Sequence, residues 1–600
     1  MATDERRTRW GACLLDDGQA QFHLWAPAIH SLAVEIDGHP IVMNPEANGW
    51  FGLITEARAD AQYRFLLPDG VRVPDPASQA QAGDVHGPSV LVDQHAYRWR
   101  HPDWKGRPWE EAVIYELHIG TFTKEGTFAS ARQRIKYLAD LGITAVEIMP
   151  VAAFGGKRGW GYDGVLPYAP HSAYGSPDDM KAFVDECHEH GVMVLLDVVY
   201  NHFGPDGNYL AAYAPDFFDE RRHTPWGAAI AYEREPVRRF FLDNALYWLR
   251  EFHLDGLRLD AVDQIHDDRS EEELLVTIAR RIRETFPDRH IHLTTEDNRN
   301  VTHLHERSAS GQVELYSGEW NDDFHNVCHV ILTGETDGYY RDFAEDIWNK
   351  LARSLAEGFI YQGETSPHQN GKARGQPSAH LSPTSFVNFL QNHDQTGNRA
   401  RGERLTQLAD SRMLELFQAI LLLSPAIPLV FMGEEYGETR PFLFFTDFTG
   451  ELAIAVREGR RKEFAHFSSH QDEEGVPDPN ARETFEQSRL DWDVSRSQQG
   501  KEHLARFQQL LDLRSRYIVP LLAEAGEHAG RILTVEEGAI AIDWTLGRSL
   551  LELRCNFTRE NKMLPASTGK LLFEHLGEAH PSPTENELPA RYLRFSTASV

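Results

Sequence analysis

The chain has 600 residues, 41% of them hydrophobic and 25% charged, the balance of a globular protein too long for a single core. Its formal net charge of −31 argues against nucleic acid or an anionic membrane as partner and suits a neutral ligand. The four cysteines, Cys13, Cys187, Cys328 and Cys555, have no CxxC spacing, so neither a disulfide framework nor a zinc ribbon is expected.

In chain order, the start MATDERRTRWGACLL has no long apolar run after its basic residues. That pattern predicts no signal peptide and a cytoplasmic location. Residues 1–105 carry short strands (QFHLWAP, LAVEIDG, WFGLIT, YRFLLPDG) punctuated by Gly, Pro, Asn and Asp, which predicts an N-terminal immunoglobulin-like β-sandwich. Over residues 106–524 eight apolar strands alternate with helical stretches. They are AVIYELHIGTF, ITAVEIMPV, VMVLLDVVYNH, LDGLRLDAVD, IHLTTED, VELYSGEW, SFVNFLQNHD and IPLVFMGEEYG. This alternation is the signature of a (β/α)8 TIM barrel with loop insertions. The longest apolar stretch, AILLLSPAIPLVFM (419–432), is broken by two prolines and is too short to span a bilayer. Residues 468–488 read as a polar surface loop. Residues 525–600 return to strand-and-turn texture and predict a C-terminal antiparallel β domain.

Polar residues collect at the carboxyl ends of the barrel strands: Asn201 and His202, Asp260, Glu296, His393 and Asp394, Glu434 and Glu435. A barrel carries its active site at that end. The stretch DGLRLDAVDQI (255–265) is the most unusual, because Arg258 and Asp260 share one face of a strand whose other face is Leu257 and Leu259. A lone strand-end aspartate is more often a helix cap or loop anchor. Asp260, Glu296 and Asp394 on three separate strands, with Arg258 in register and histidines on two more strand ends, outweigh that reading. Glycoside hydrolysis needs such carboxyls, one ionised and one holding a proton. Arg258 would keep Asp260 ionised, and desolvation would make Glu296 a proton donor. His202 and His393 can reach sugar hydroxyls, and Tyr162 or Trp160 can offer a flat surface to a sugar ring.

Other features have structural readings. His188 and His190 in CHEHG end a predicted helix, where their positive character suits the dipole. The loop FGGKRGWGYDG lacks the GK[ST] ending of a phosphate cradle, and no HExxH occurs. No metal and no other cofactor is expected.

DVVYNH (197–202), GLRLDAVD (256–263), TTED (294–297) and FLQNHD (389–394) resemble, in order, the four signature regions of the α-amylase family of glycoside hydrolases. The resemblance implies that Asp260 is the nucleophile, Glu296 the general acid/base, and Asp394 the residue that binds sugar hydroxyls in the distorted transition state. It also implies helper roles for His202, Arg258 and His393 and a ring-stacking role for Tyr162. Asn201 matches a position that binds calcium in many amylases, yet the segment after the third strand is short and offers few further oxygen ligands.

Within the family, residues 320–340, 432–448 and 457–464 and the N-terminal FHLWAP resemble members that cut the α-1,4 bond beside the terminal trehalose of maltooligosyltrehalose. These release trehalose and a shorter maltooligosaccharide. Asp263 and Arg299 are then expected to contact the trehalose end, with Trp160 and Phe442 as stacking surfaces. Glycogen branching enzymes share the N-terminal sandwich and the QNHDQ.GNR pattern, so α-1,4 to α-1,6 glucan transfer is the alternative. Asn326 stands where a second histidine is expected. The partner is thus an α-glucan, with the chain a monomer or homodimer.

Overall fold

The computed structural model describes residues 9–599 apart from 16, 465–475 and 577–585. Its centre is the expected barrel, a closed ring of eight strands in chain order. They are Ile114–Leu117 (β1), Ala145–Ile148 (β2), Met193–Val198 (β3), Gly256–Leu259 (β4), His292–Thr295 (β5), Gly318–Trp320 (β6), Phe386–Phe389 (β7) and Ile427–Phe431 (β8). All neighbours pair in parallel.

Strand alternation divides the side chains between two layers. Leu257 and Leu259 face outward into the large core under the helices. Inward-facing Ile114, Ala145, Met193, Leu195, Val387, Phe389, Ile427 and Leu429 form a separate apolar plug, closed by Trp109. One layer nearer the carboxyl ends, Asp197, Arg258 and Thr294 are register partners on adjacent strands, as are Glu116 and Glu147. The barrel interior therefore changes from apolar to ionic within about two residues of strand, roughly 6.6 Å.

Two antiparallel sheets precede the barrel. One contains Gly11–Leu14, Gln19–Trp25, Asn44–Pro45 and Trp50–Glu56, the other Ala33–Ile36, His39–Val42, Gln62–Leu66, Arg72–Val73 and Ser89–Val90. Their tryptophans turn inward: Trp10, Trp25 and Trp50 are buried. Trp10 meets Trp50 and the barrel residue Phe240 edge-on and donates from Nε1 to the Pro236 carbonyl (2.9 Å). After the barrel, a five-stranded antiparallel sheet spans residues 530–599, and its Trp544 donates to the Leu355 carbonyl of a barrel helix (2.9 Å).

The loop expected over 468–488 is corrected in part. Residues 468–475 lie outside the described residues, but Arg482–Gln487 is a helix, and its Phe485 is buried edge-on against Phe445. Its polar composition hides two inward residues, Thr484 and Phe485, at a spacing too short to register as amphipathic. Among the described residues no helix is long and apolar enough to cross a membrane.

Candidate active site

The guanidinium of Arg258 organises the carboxyl end of the barrel. It is fully buried, which is tolerable for a cation only when anions surround it. Nη1 donates to both Asp197 oxygens (2.9 and 2.8 Å) and to Asp260 Oδ1 (2.8 Å), and Nη2 donates to Glu296 Oε2 (2.6 Å). Its face lies over the Trp320 ring, 4.3 Å from the centroid.

Backbone geometry aims the carboxyls. Ala261, directly after Asp260, has φ 39° and ψ 53° in the left-handed region. That turn points its N–H at Glu296 Oε2 (3.1 Å) and its carbonyl at Asn201 Nδ2 (3.4 Å). Asn201 Nδ2 also donates to Asp260 Oδ2 (3.2 Å), so each Asp260 oxygen has a donor. Burial raises the Glu296 carboxyl above its usual range, and Arg258 opposes this without overcoming it. Burial likewise lifts Asp197 to about 7 against the pull of Arg258.

Asp394 sits in the helix His393–Gly397, capped by Asn392, whose side chain accepts from the Gln395 N–H. Asp394 Oδ1 lies 3.5 Å from His393 Nε2 and accepts from Asn398 Nδ2 (3.1 Å). The other ring nitrogen of His393 meets Glu116, whose second oxygen accepts the His393 backbone N–H (3.0 Å). Burial works against the imidazolium, but Glu116 and Asp394 outweigh it and raise His393 to about 9. Tyr162 stacks on His393 (5.0 Å, 22°) and donates to Asp197 Oδ2 (2.5 Å).

Asp260, Glu296, Arg258, Asn201 and Tyr162 thus meet in one network, with His393 stacked on Tyr162 and Asp394 beside His393. Other expectations need correction. Phe442 is completely buried, stacked beneath Trp160 (5.4 Å, 18°), so it offers no surface to a sugar. Trp160 is only 6% exposed, and its Nε1 is bound to the Leu443 carbonyl (2.9 Å). Both ring nitrogens of His202 face oxygens, Nδ1 the Asn201 side chain (2.8 Å) and Nε2 the Tyr162 carbonyl (3.0 Å), and the single N–H of a neutral ring donates to one of them. A sugar hydroxyl would have to displace one of them. Burial lowers His202 to about 4.

Asp263 lies in the turn Val262–Gln264, its carboxyl lifted to about 6 by burial, while Arg299 is half-exposed and ion-paired to Asp297 (2.6 Å). Asn201, the calcium-like position, spends its amide on Asp260 and Ala261. Asn326 is buried, and its Oδ1 has no partner among the described residues.

Four residues of this neighbourhood escape the sequence reading. Asp197 and Glu116 lie within strands rather than at their ends, and their signal is a lone carboxylate in an apolar run. Asp322 opens the helix Asp322–Thr333, with its carboxyl lifted to about 8 by burial and by nearby Glu296. Trp226 sits in the turn between Phe218–Thr224 and Gly227–Ile230, 48% exposed and stacked flat on His202 (4.1 Å, 7°). Nothing periodic in the sequence marks it.

The family model described as "Alpha amylase, catalytic domain" matches residues 102–222 and 224–518. The chain is 40% identical over 580 residues to a malto-oligosyltrehalose trehalohydrolase of Deinococcus radiodurans, covering 94% of each. It is 37% identical over 551 residues to one of Saccharolobus solfataricus, covering 91% of this chain and 94% of that one. A Salmonella typhimurium protein of known crystal structure superposes with a TM-score of 0.95 at 52% identity, over 99% of this chain and 100% of that one. Similarity to a 1,4-alpha-glucan branching enzyme of Aliivibrio fischeri extends over only 40% of this chain and 38% of that one.

Proposed function

This chain belongs to the α-amylase family and, within it, to the malto-oligosyltrehalose trehalohydrolases, and on that premise we propose that Asp260, Glu296 and Asp394 carry out its reaction. It is a glycoside hydrolase that cleaves the α-1,4-glucosidic bond next to the terminal trehalose of maltooligosyltrehalose. The branching alternative has only a partial relative in its favour.

In the proposed mechanism Glu296 enters protonated and gives its proton to the glycosidic oxygen while Asp260 attacks the anomeric carbon. Trehalose departs, leaving a glycosyl ester on Asp260. Glu296, now ionised, takes a proton from water, which opens the ester with net retention. The observation that carries this reading is the single guanidinium shared between the two carboxyls. Two nitrogens of one planar fork reach both, which favours the close spacing of a retaining pair (roughly 5–5.5 Å) over the wider spacing of an inverting one. Asp394, on a separate helix, would hold sugar hydroxyls.

Asp263 and Arg299 follow the nucleophile and the acid and suit the trehalose side of the cleft. The exposed ring of Trp226 is a better platform for a sugar than buried Phe442. The same reading takes the chain as a cytoplasmic monomer or homodimer.

The test compares maltotriosyltrehalose with maltopentaose of equal length. Free trehalose and maltotriose, with maltopentaose cut far more slowly, are the expected products. Equal attack on both, or longer branched products from added amylose, would overturn the specificity.

A further inference from the structure

Glu319 occupies an unusual place in the barrel wall. On β6 its neighbour Trp320 faces inward beneath Arg258, so alternation turns Glu319 outward, toward the layer that holds the large core. It is 1% exposed. Register pairs it with Thr295 on β5, the residue before Glu296. Its Oε2 is hydrogen-bonded to the Thr295 hydroxyl and to His305 Nε2 (2.9 Å). Its Oε1 accepts the backbone N–H of Asp297 (2.6 Å), the residue after Glu296. One buried carboxyl group therefore grips both chain neighbours of Glu296.

The opposite side is held by backbone. Glu296 N–H donates to the Leu259 carbonyl (3.1 Å), and its own carbonyl accepts from Val262 N–H (3.0 Å). The peptide of Glu296 is thus fixed to β4 on one side and to Glu319 on the other.

We propose that Glu319 is a positioning residue for the acid/base step, clamping Thr295 and Asp297 so that the Glu296 carboxyl stays in line with the glycosidic oxygen. This rests on Glu296 being the acid/base. The clamp matters because Glu296 must first deliver and then accept a proton at nearly one position, and a displacement of about 1 Å can cost roughly 10²-fold in rate. Burial pushes the Glu319 carboxyl well above the usual range and lowers His305 to about 3. A glutamine keeps the shape of the side chain, an oxygen for the Asp297 N–H and a polar group beside Thr295 and His305.

The experiment pairs two substrates with graded variants. Maltotriosyltrehalose needs a proton on its leaving oxygen, whereas fluoride leaves an α-maltooligosyl fluoride with little acid assistance. Glu319→Leu is expected to lower kcat on maltotriosyltrehalose by about 10²-fold with KM and first-turnover fluoride release kept within about threefold. Glu319→Gln should restore kcat to within about threefold of the parent. Equal loss on both substrates, or full activity of Glu319→Leu, would overturn the proposal. If Glu319→Leu does not fold, Thr295→Val, which removes one partner of the clamp, is read by the same two-substrate comparison. Glu296→Gln run in parallel separates the premise from the proposal. Should it lose fluoride release as severely as trehalose release, the assignment of Glu296 itself fails.

Discussion

Arg258, fully buried, finds its charge compensation in protein. It does so with three carboxyls, Asp197, Asp260 and Glu296. His393 plays the same part toward Glu116 and Asp394. Because its folded pKa of about 9 exceeds the ordinary 6.5, protonated His393 stabilises the fold fully below about pH 6.5, and this is lost as pH rises through 9. The difference is on the order of 3 kcal/mol at 1.36 kcal/mol per pKa unit. Thermal melts of the parent and of His393→Gln should therefore differ most near pH 6 and converge toward pH 9. A gap that stays constant with pH would show that the imidazolium contributes nothing. At this scale the sequence is informative, since Asp260, Glu296, Asp394 and Arg258 all sit in recognisable motifs. Glu319 is not legible, because its bond to Thr295 crosses 24 residues and depends on strand register.

Elements place these residues through local backbone features that the sequence shows only weakly. The left-handed Ala261 costs about 1–2 kcal/mol relative to an ordinary conformation, yet it supplies the N–H that binds Glu296. Gly397, three residues after Asp394, serves by what it lacks. A Cβ there would lie 2.1 Å and 2.3 Å from the Trp160 ring, which Phe442 and the Leu443 carbonyl hold from behind. Gly397→Ala must therefore shift either Trp160 or the helix bearing Asp394. It should destabilise the protein by about 1–3 kcal/mol and reduce kcat/KM. Unaltered kcat/KM together with an unaltered melting temperature would mean that the helix moves at no cost. The same scale explains the error over Phe442. The segment PFLFFTDF reads as a run of aromatic surfaces, and only the fold decides that Phe442 lies beneath Trp160 while Trp226, from a remote hairpin, is exposed.

Across the whole molecule, buried tryptophans help join the flanking sheets to the barrel, beside ion pairs such as His86–Asp206 and Arg591–Asp410. Trp10 ties the N-terminal sheets to Pro236 and Phe240, and Trp544 ties the C-terminal sheet to Leu355. Trp10→Ala removes a buried ring and should cost about 3–5 kcal/mol in a thermal melt while leaving kcat near the parent value. A matching loss of kcat would show instead that the sandwich acts on the catalytic end. The barrel, its strand order and the strand-end placement of Asp260 and Glu296 were legible in the sequence alone. Hydrophobic alternation and motif order are local properties, written within a few residues, and they survive without knowledge of neighbours. Tertiary structure decided what no local pattern carries: that Asp197 shares Arg258, that Glu319 grips Thr295 and Asp297, and that Trp226 rather than Phe442 meets solvent. Each of these depends on which side chains from distant segments enter the same few ångströms, and that is set by strand register and packing.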